Sequence, residues 1–302
     1  MVRGNRRLWL ALELLMCFAA AAAQESAPSA EYRQSFEKWK AELVQDRQRN
    51  WLPLAGLFWL KPGLNTFGSD AGNTILLKKA PPWAGAFKLW DSKVTLLPSS
   101  GAAVMIGGKP VTTPVELQSD GSGNPTVVEL GSLQMHVIQR GQRTGIRVKD
   151  LESPAASKYK EPVFFPLDSS YRVTANWLPA EGKQTVDVPN ALGDVSATPI
   201  AGTAVFELNG QQVRLTDLGG DAAKGLFFVF SDSTSKTDTY PGGRFLDADP
   251  VKNGAVVLDF NRAYNPPCSV TPYATCPLAP KENRLTVAIA AGEKYERKSG
   301  HH

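Results

Sequence analysis

Thr203 to Leu215, TAVFELNGQQVRL, decides the fold class. Apolar and polar residues alternate on both sides of Asn209-Gly210, and that dipeptide suits the two-residue turn whose central positions both need positive φ. The stretch predicts an antiparallel hairpin. Outward from it, the segments YRVTANW, KQTVDVP, KGLFFVFSD, GRFLDAD, AVVLDFN and RLTVAIAAGEK read as further strands between turn-forming residues. LFFVF is apolar on both faces and predicts a central strand. The second half therefore reads as a β-sandwich or partly open barrel.

The first half repeats the pattern. LKPGL suits a type II turn, FKLWDSKVTLL turns about Asp91-Ser92-Lys93, AVMIGGKPV about Gly107-Gly108, and TVVELGSLQMHVI about Gly131-Ser132. Ahead of these, EYRQSFEKWKAELVQDRQRN carries Tyr32, Phe36, Trp39 and Leu43 at helical spacing, with Ser29 placed to cap the helix and Glu31 in its first turn. Both charge signs mix on its polar face, so the expected role is packing on its own domain rather than lying on a membrane. The fold class is mostly β, with one N-terminal helix and two β units.

The chain has 302 residues, enough for two modest domains, and its 42% hydrophobic and 21% charged residues are ordinary for a folded protein. Residues 1–23 read as an export signal: three arginines, an apolar run, and AAA before Gln24. Their removal takes away three arginines and one glutamate, so the formal charge of +4 becomes +2. A near-neutral chain without a basic block is a poor nucleic-acid partner. The expected compartment is periplasmic or secreted, with no membrane span in the mature chain. The reading divides it into a leader and helix (24–50), a first sandwich (51–150), a linker (151–162), a second β domain (163–296) and a tail (297–302).

Cleavage also removes Cys17 and leaves Cys268 and Cys276. Both lie in DFNRAYNPPCSVTPYATCPLAPKENRL, Asp259 to Leu285, a 27-residue segment with five prolines between two expected strands. A loop of that length in a compact domain is usually functional or disordered, and prolines with a closable cysteine pair argue for one held shape. Export makes a Cys268–Cys276 disulfide the expected state. A catalytic thiolate is the sharper alternative, but no imidazole is placed to serve it: His136 sits in a strand, and His301 and His302 are terminal. No metal set or cofactor is expected, since a second cysteine pair or nearby histidine is missing from the sequence.

Polar groups of the segment make it the expected site. Arg244, just after Gly242-Gly243, is the first choice for an anion contact, with Asn261, Tyr264, Asn265, Tyr273, Asn283 and Arg284 as further ligand candidates. Asp259 or Glu282 as base and Arg262 as a charge stabiliser would suit a hydrolase. The competing reading makes the same residues architecture: Asp259 with Arg262 and Glu282 with Arg284 as ion pairs, the asparagines bonding loop backbone.

Two resemblances add to this. NTFGSDAGNTILL, MIGGKPV and VVELGSLQMHVI resemble the strand order of a forkhead-associated β-sandwich. Ser69 stands where that family has its phosphate-gripping arginine, and WAGAF where it has its serine and histidine, so the likeness implies the fold without phosphothreonine binding. The run from GRFLDAD through AVVLDFNRAYNPPCSVTPYATCPLAPKENRLTVAIAAGEK, with WLPLAGLFWLKPGLNTFGSD and LGSLQMHVIQRG, resembles a bacterial family known only as domain of unknown function 1684, over nearly the whole mature chain. That likeness implies the two-part architecture and brings no activity. The resulting expectation is an exported binding or accessory protein for a small molecule or envelope component, with a carboxylate–arginine hydrolase as the alternative.

Overall fold

The structure, a computed structural model, describes residues 27–296. The export-signal reading of residues 1–23 lies outside the described residues. Helix α1, Ala30–Asp46, begins as expected: the Tyr32 N–H donates to Ser29 Oγ at 3.1 Å. It runs into one wide π-type turn, Arg47–Trp51. Its apolar stripe packs on the second half of the chain, not on the sandwich that follows it in sequence. Phe36 and Trp39 meet the Phe164 ring edge-on at 5.7 and 5.8 Å, Trp39 meets Tyr264 at 6.3 Å, and the Tyr32 hydroxyl donates to Asp259 at 2.7 Å. An amphipathic pattern says that a helix needs an apolar partner, and leaves open which one.

Strands β1 Leu54–Trp59, β2 Gly63–Gly68, β3 Ile75–Leu76, β4 Gly85–Trp90, β5 Lys93–Pro98 and β6 Met105–Ile106 come next. They are followed by β7 Lys109–Pro110, β8 Val115–Leu117, β9 Val128–Leu130, β10 Leu133–Arg140 and β11 Arg143–Asp150. They form two sheets, ordered β1-β11-β10-β9-β6-β7 and β3-β2-β4-β5-β8. Between the sheets lies one core of Phe67, Ile75, Phe87, Leu96, Val104, Val128, Met135 and Ile146, with Phe67 and Phe87 stacked at 4.7 Å. The predicted turns form where the sequence put them; Asp91 and Ser92 both take positive φ, 46° and 61°, between β4 and β5.

The second half contributes β12 Arg172–Pro179, β13 Thr185–Pro189, β14 Val195–Pro199, β15 Gly202–Leu208 and β16 Gln211–Thr216. After these come β17 Leu226–Phe230, β18 Arg244–Ala248 and β19 Ala255–Asp259. The main sheet is ordered β16-β15-β12-β19, and β13-β14 and β17-β18 are separate antiparallel pairs. The Asn209-Gly210 hairpin joins β15 and β16, with φ of 53° and 72°. The molecule is thus mostly β with several antiparallel sheets, and among the described residues none closes into a barrel.

Three local expectations need correction. LFFVF is buried on both faces, as a central strand would be, yet β17 pairs with β18 alone. Its other edge is completed piecemeal: Asp217 Oδ1 accepts the Phe227 N–H at 3.0 Å, and the Asn283 amide donates to the Val229 carbonyl at 3.0 Å. RLTVAIAAGEK forms no strand. Val287 and Ile289 are buried in the core, and Thr286, Ala288 and Ala290 are exposed. Asn261, expected as a ligand contact, is 1% exposed. The strand ends at Asp259, and a 3-10 turn over Phe260–Arg262 carries Asn261 inward.

Candidate functional site

Asp259 to Leu285 is an ordered crossover with three 3-10 turns, Phe260–Arg262, Pro267–Ser269 and Lys281–Asn283. Its cysteines correct the disulfide expectation: both are thiols. The Cys268 N–H donates to Cys276 Sγ at 3.2 Å, and the Cys276 N–H donates back to Cys268 Sγ at 3.3 Å. The neck of this small loop is therefore closed by reciprocal N–H···S contacts.

Arg244, the expected anion contact, is fully buried. Its guanidinium donates to the carbonyls of Ile289 (2.9 Å) and Ala291 and pairs with Asp232 at 3.2 Å, while Asp232 accepts the Ile289 N–H at 2.6 Å. Burial pulls the Arg244 pKa down to about 10, against the attraction of Asp232, and the group stays charged. This pair takes the backbone groups of Ile289 and Ala291, while Leu285, Val287 and Gly292 bond the backbone of Ser231, Ser233 and Phe165 without forming a continuous strand. Asn283, also fully buried, accepts the Thr216 N–H (2.8 Å) and donates to the Thr216 and Val229 carbonyls (2.8 and 3.0 Å). Both residues are closed off from solvent, and the Arg244 Nε is buried without a hydrogen-bond partner.

The other candidates scatter. Asp259 is engaged by the Tyr32 hydroxyl (2.7 Å), the Asn261 amide (3.2 Å) and Arg262 (3.3 Å), and Asn261 also bonds the Asp168 backbone twice. Tyr264 donates to Asp247 at 2.9 Å; burial pushes both groups' pKa values up. Glu282 is exposed with Lys281 at 3.8 Å, and the Arg284 Nε donates to the Ala279 carbonyl at 3.3 Å, so the expected Glu282–Arg284 pair does not form. Tyr273 is half-buried, its N–H on Thr271 Oγ1 at 3.3 Å. The structure does not bring Arg244, Asp259, Arg262, Tyr264 and Glu282 to one concave surface.

Asn265 is different. It is 3% exposed, its N–H donates to Glu293 Oε2 at 2.7 Å and its amide to the Lys294 carbonyl at 2.9 Å, but its Oδ1 is buried without a partner. It lies in a cleft of about 580 Å³ where the crossover (Ser269, Val270) meets residues 158–163 and 293–296. Beneath, Arg47 makes a two-pronged pair with Glu293 at 2.8 and 2.6 Å and donates to Tyr159 and the Asn265 carbonyl. Burial works against the Arg47 charge, but the Glu293 hydrogen bonds more than offset it and hold the guanidinium firmly protonated. Lys158, Lys160 and Lys294 stand in the cleft wall, Lys294 also over the Phe165 ring at 4.6 Å. Arg47, Tyr159 and Glu293 are not among the residues expected from the sequence; a lone arginine in a charged helix end carries no signal of its partner 246 positions away.

Chemically the cleft gathers Lys158, Lys160 and Lys294 beside Asn265, with Glu161 and Glu296 alongside. No imidazole reaches it: His136, the one histidine among the described residues, lies on β10, where burial and then Arg147 lower its pKa to about 4. Among the described residues no three His, Cys, Asp or Glu side chains are grouped to hold a metal ion, and no helix is long and apolar enough to cross a membrane.

Residues 157–294 match the model of the family described as "Protein of unknown function (DUF1684)", which supports that family for the second half of the chain. The match does not extend over nearly the whole mature chain, as the sequence resemblance implied. The solution NMR structure of an uncharacterized protein of Haloarcula marismortui is similar at 30% identity, over 46% of this chain and 79% of that one, with a TM-score of 0.39 that carries no statement about the fold. No curated protein matches the chain.

Proposed function

We propose that the protein is an exported binding or accessory protein whose ligand is a small polar molecule bearing an anionic group, held in the cleft at Asn265. The carrying observation is the buried, unpartnered Asn265 Oδ1 in a cleft of ligand size. A hydrogen-bond donor on the ligand would satisfy that oxygen, and its anion would sit among Lys158, Lys160 and Lys294. A thermal-shift panel of acidic metabolites and charged glycans on the mature protein tests this. A specific member at about 100 times its Kd should stabilise by about 2.7 kcal/mol, and Lys160→Glu should abolish the shift. A panel without any shift, or one unchanged in Lys160→Glu, contradicts the reading. Export is checked by N-terminal sequencing, which should begin at Gln24.

The hydrolase alternative rests on Asp259 and Arg262, paired at 3.3 Å near the surface. Comparing wild type with Asp259→Asn in a hydrolase screen decides it, since turnover lost in the variant would support an enzyme. For residues 51–150, the two facing sheets support the forkhead-associated-like reading. In that half Ser69 and Asp70 bond by their backbones to Pro81 and Pro82 (2.9 and 3.1 Å), an arrangement that suits framework or docking rather than phosphate binding.

A further inference from the structure

Arg147, on β11, is 6% exposed and has no carboxylate partner among the described residues. Its Nε is buried without a hydrogen bond, and its Nη2 reaches only Thr275 Oγ1, at 3.3 Å. Thr275 Oγ1 also accepts from Arg140 Nε at 2.9 Å, and Arg140 in turn is paired with Asp120 at 2.7 Å. A buried guanidinium without an anion is costly, and proteins usually pair it. Thr275 is the residue next to Cys276, so the two-cysteine loop touches this cation through Thr275. The missing anion is supplied if one of the sulfurs is a thiolate.

The loop is built to hold one. Each sulfur accepts the other cysteine's backbone N–H, at 3.2 and 3.3 Å. Cys268 is half-buried, and Cys276 is buried at 5% exposure, so an incoming reagent meets Cys268 first. We propose that Cys268 and Cys276 form a redox-active dithiol, with Cys268 the attacking thiolate, Cys276 the resolving thiol and Arg147 the cation that holds the charge.

The co-reactant is an external disulfide of the glutathione class. The Cys268 thiolate attacks one of its sulfurs, the external S–S bond breaks, and the departing thiolate takes a proton from water. Cys276, its proton given to solvent, then attacks the Cys268 sulfur, closes the Cys268–Cys276 bridge and expels the second external thiol. Two protein thiols are oxidised to one disulfide, and one external disulfide is reduced to two thiols. Hydrogen bonding from Cys276 brings Cys268 down to about 7, despite burial and helped by Arg147, while the same contact pushes Cys276 up. The other titratable group facing the pair, Tyr240, is raised to about 12 by burial and then by Cys268, and stays neutral. His136 beside Arg147 is neutral as well.

The test uses full-length mature protein, reduced and then freed of reductant. With oxidised glutathione, wild type should go to the internal disulfide without retaining glutathione, and Cys276→Ser should accumulate one glutathione on Cys268. Iodoacetamide should label Cys268 at least about tenfold faster than Cys276, with a rate rising through about pH 7 rather than the ordinary thiol value near 8.5. Arg147→Met, checked for folding by its melting curve, should move that profile upward, and Arg147→Lys should restore part of it. Equal labelling of the two sulfurs, a Cys276→Ser variant without an adduct, or a bridge that stays closed in excess reduced glutathione would each overturn the proposal. Should Arg147→Met fail to fold, the adduct and the wild-type profile still decide it.

Discussion

In the first half, β1 to β11 pair backbone to backbone, and the surfaces between the sheets are almost wholly carbon, with Asn65, bonded to the Lys61, Gly63 and Phe87 carbonyls, as the main polar resident. In the second half, fully buried Arg244, Asp217 and Asn283 do work that strands do elsewhere. They take backbone groups of Thr216, Phe227, Val229, Ile289 and Ala291. Two β units of one chain are thus held by different means. The first is held by repeated weak pairings that tolerate local change. The second depends on a few side chains, each of which leaves several buried groups unsatisfied when removed.

The sharpest way to break this contrast is Arg244→Met, which leaves the buried Asp232 without its cation and frees two carbonyls. Loss of one member of a buried pair costs about 3–5 kcal/mol, so urea unfolding should show the second half melting far earlier, with the first half's transition little changed. Asn283→Ala removes three buried hydrogen bonds and should cost about 2–3 kcal/mol in the same assay.

The difference also sets what could be read from sequence. Alternation with a period of two and turn dipeptides are local signals, so the hairpins at Asp91-Ser92, Gly107-Gly108 and Asn209-Gly210 were legible. The end of the chain was not. LTVAIAA alternates like a strand, and its inward residues are buried as expected, but whether its carbonyls meet a strand or an arginine 45 residues earlier is a tertiary fact. For the same reason the polar residues between Arg244 and Arg284 look alike in sequence whether they bond backbone or ligand. Of them Asn265 alone combines burial, an unpartnered oxygen and a cleft, and that follows from the docking of Arg47 and residues 158–163.

A smaller effect sharpens the comparison from the first half's side. The folded pKa of His136, about 4, is below the ordinary 6.5, so between those values the unfolded chain binds a proton that the folded chain refuses. Stability from this site is therefore full above about pH 6.5 and declines as pH falls toward 4. Discounted for its partial exposure, the site is worth about 1–2 kcal/mol, and His136→Gln should flatten that part of the first half's stability profile. Smallest of all, Gly131→Ala, at φ 58° with open space around it, should cost about 1 kcal/mol of the first half's stability through backbone strain alone.

The central claim, that buried side chains replace a strand at the end of the second half, is tested most directly by hydrogen exchange in Asp232→Asn. Asp232 accepts the Ile289 N–H and anchors Arg244, which holds the Ile289 and Ala291 carbonyls, so the Ile289 amide should lose protection while residues 202–216, in the paired sheet, keep theirs. Unchanged protection at Ile289 in a folded variant would contradict it.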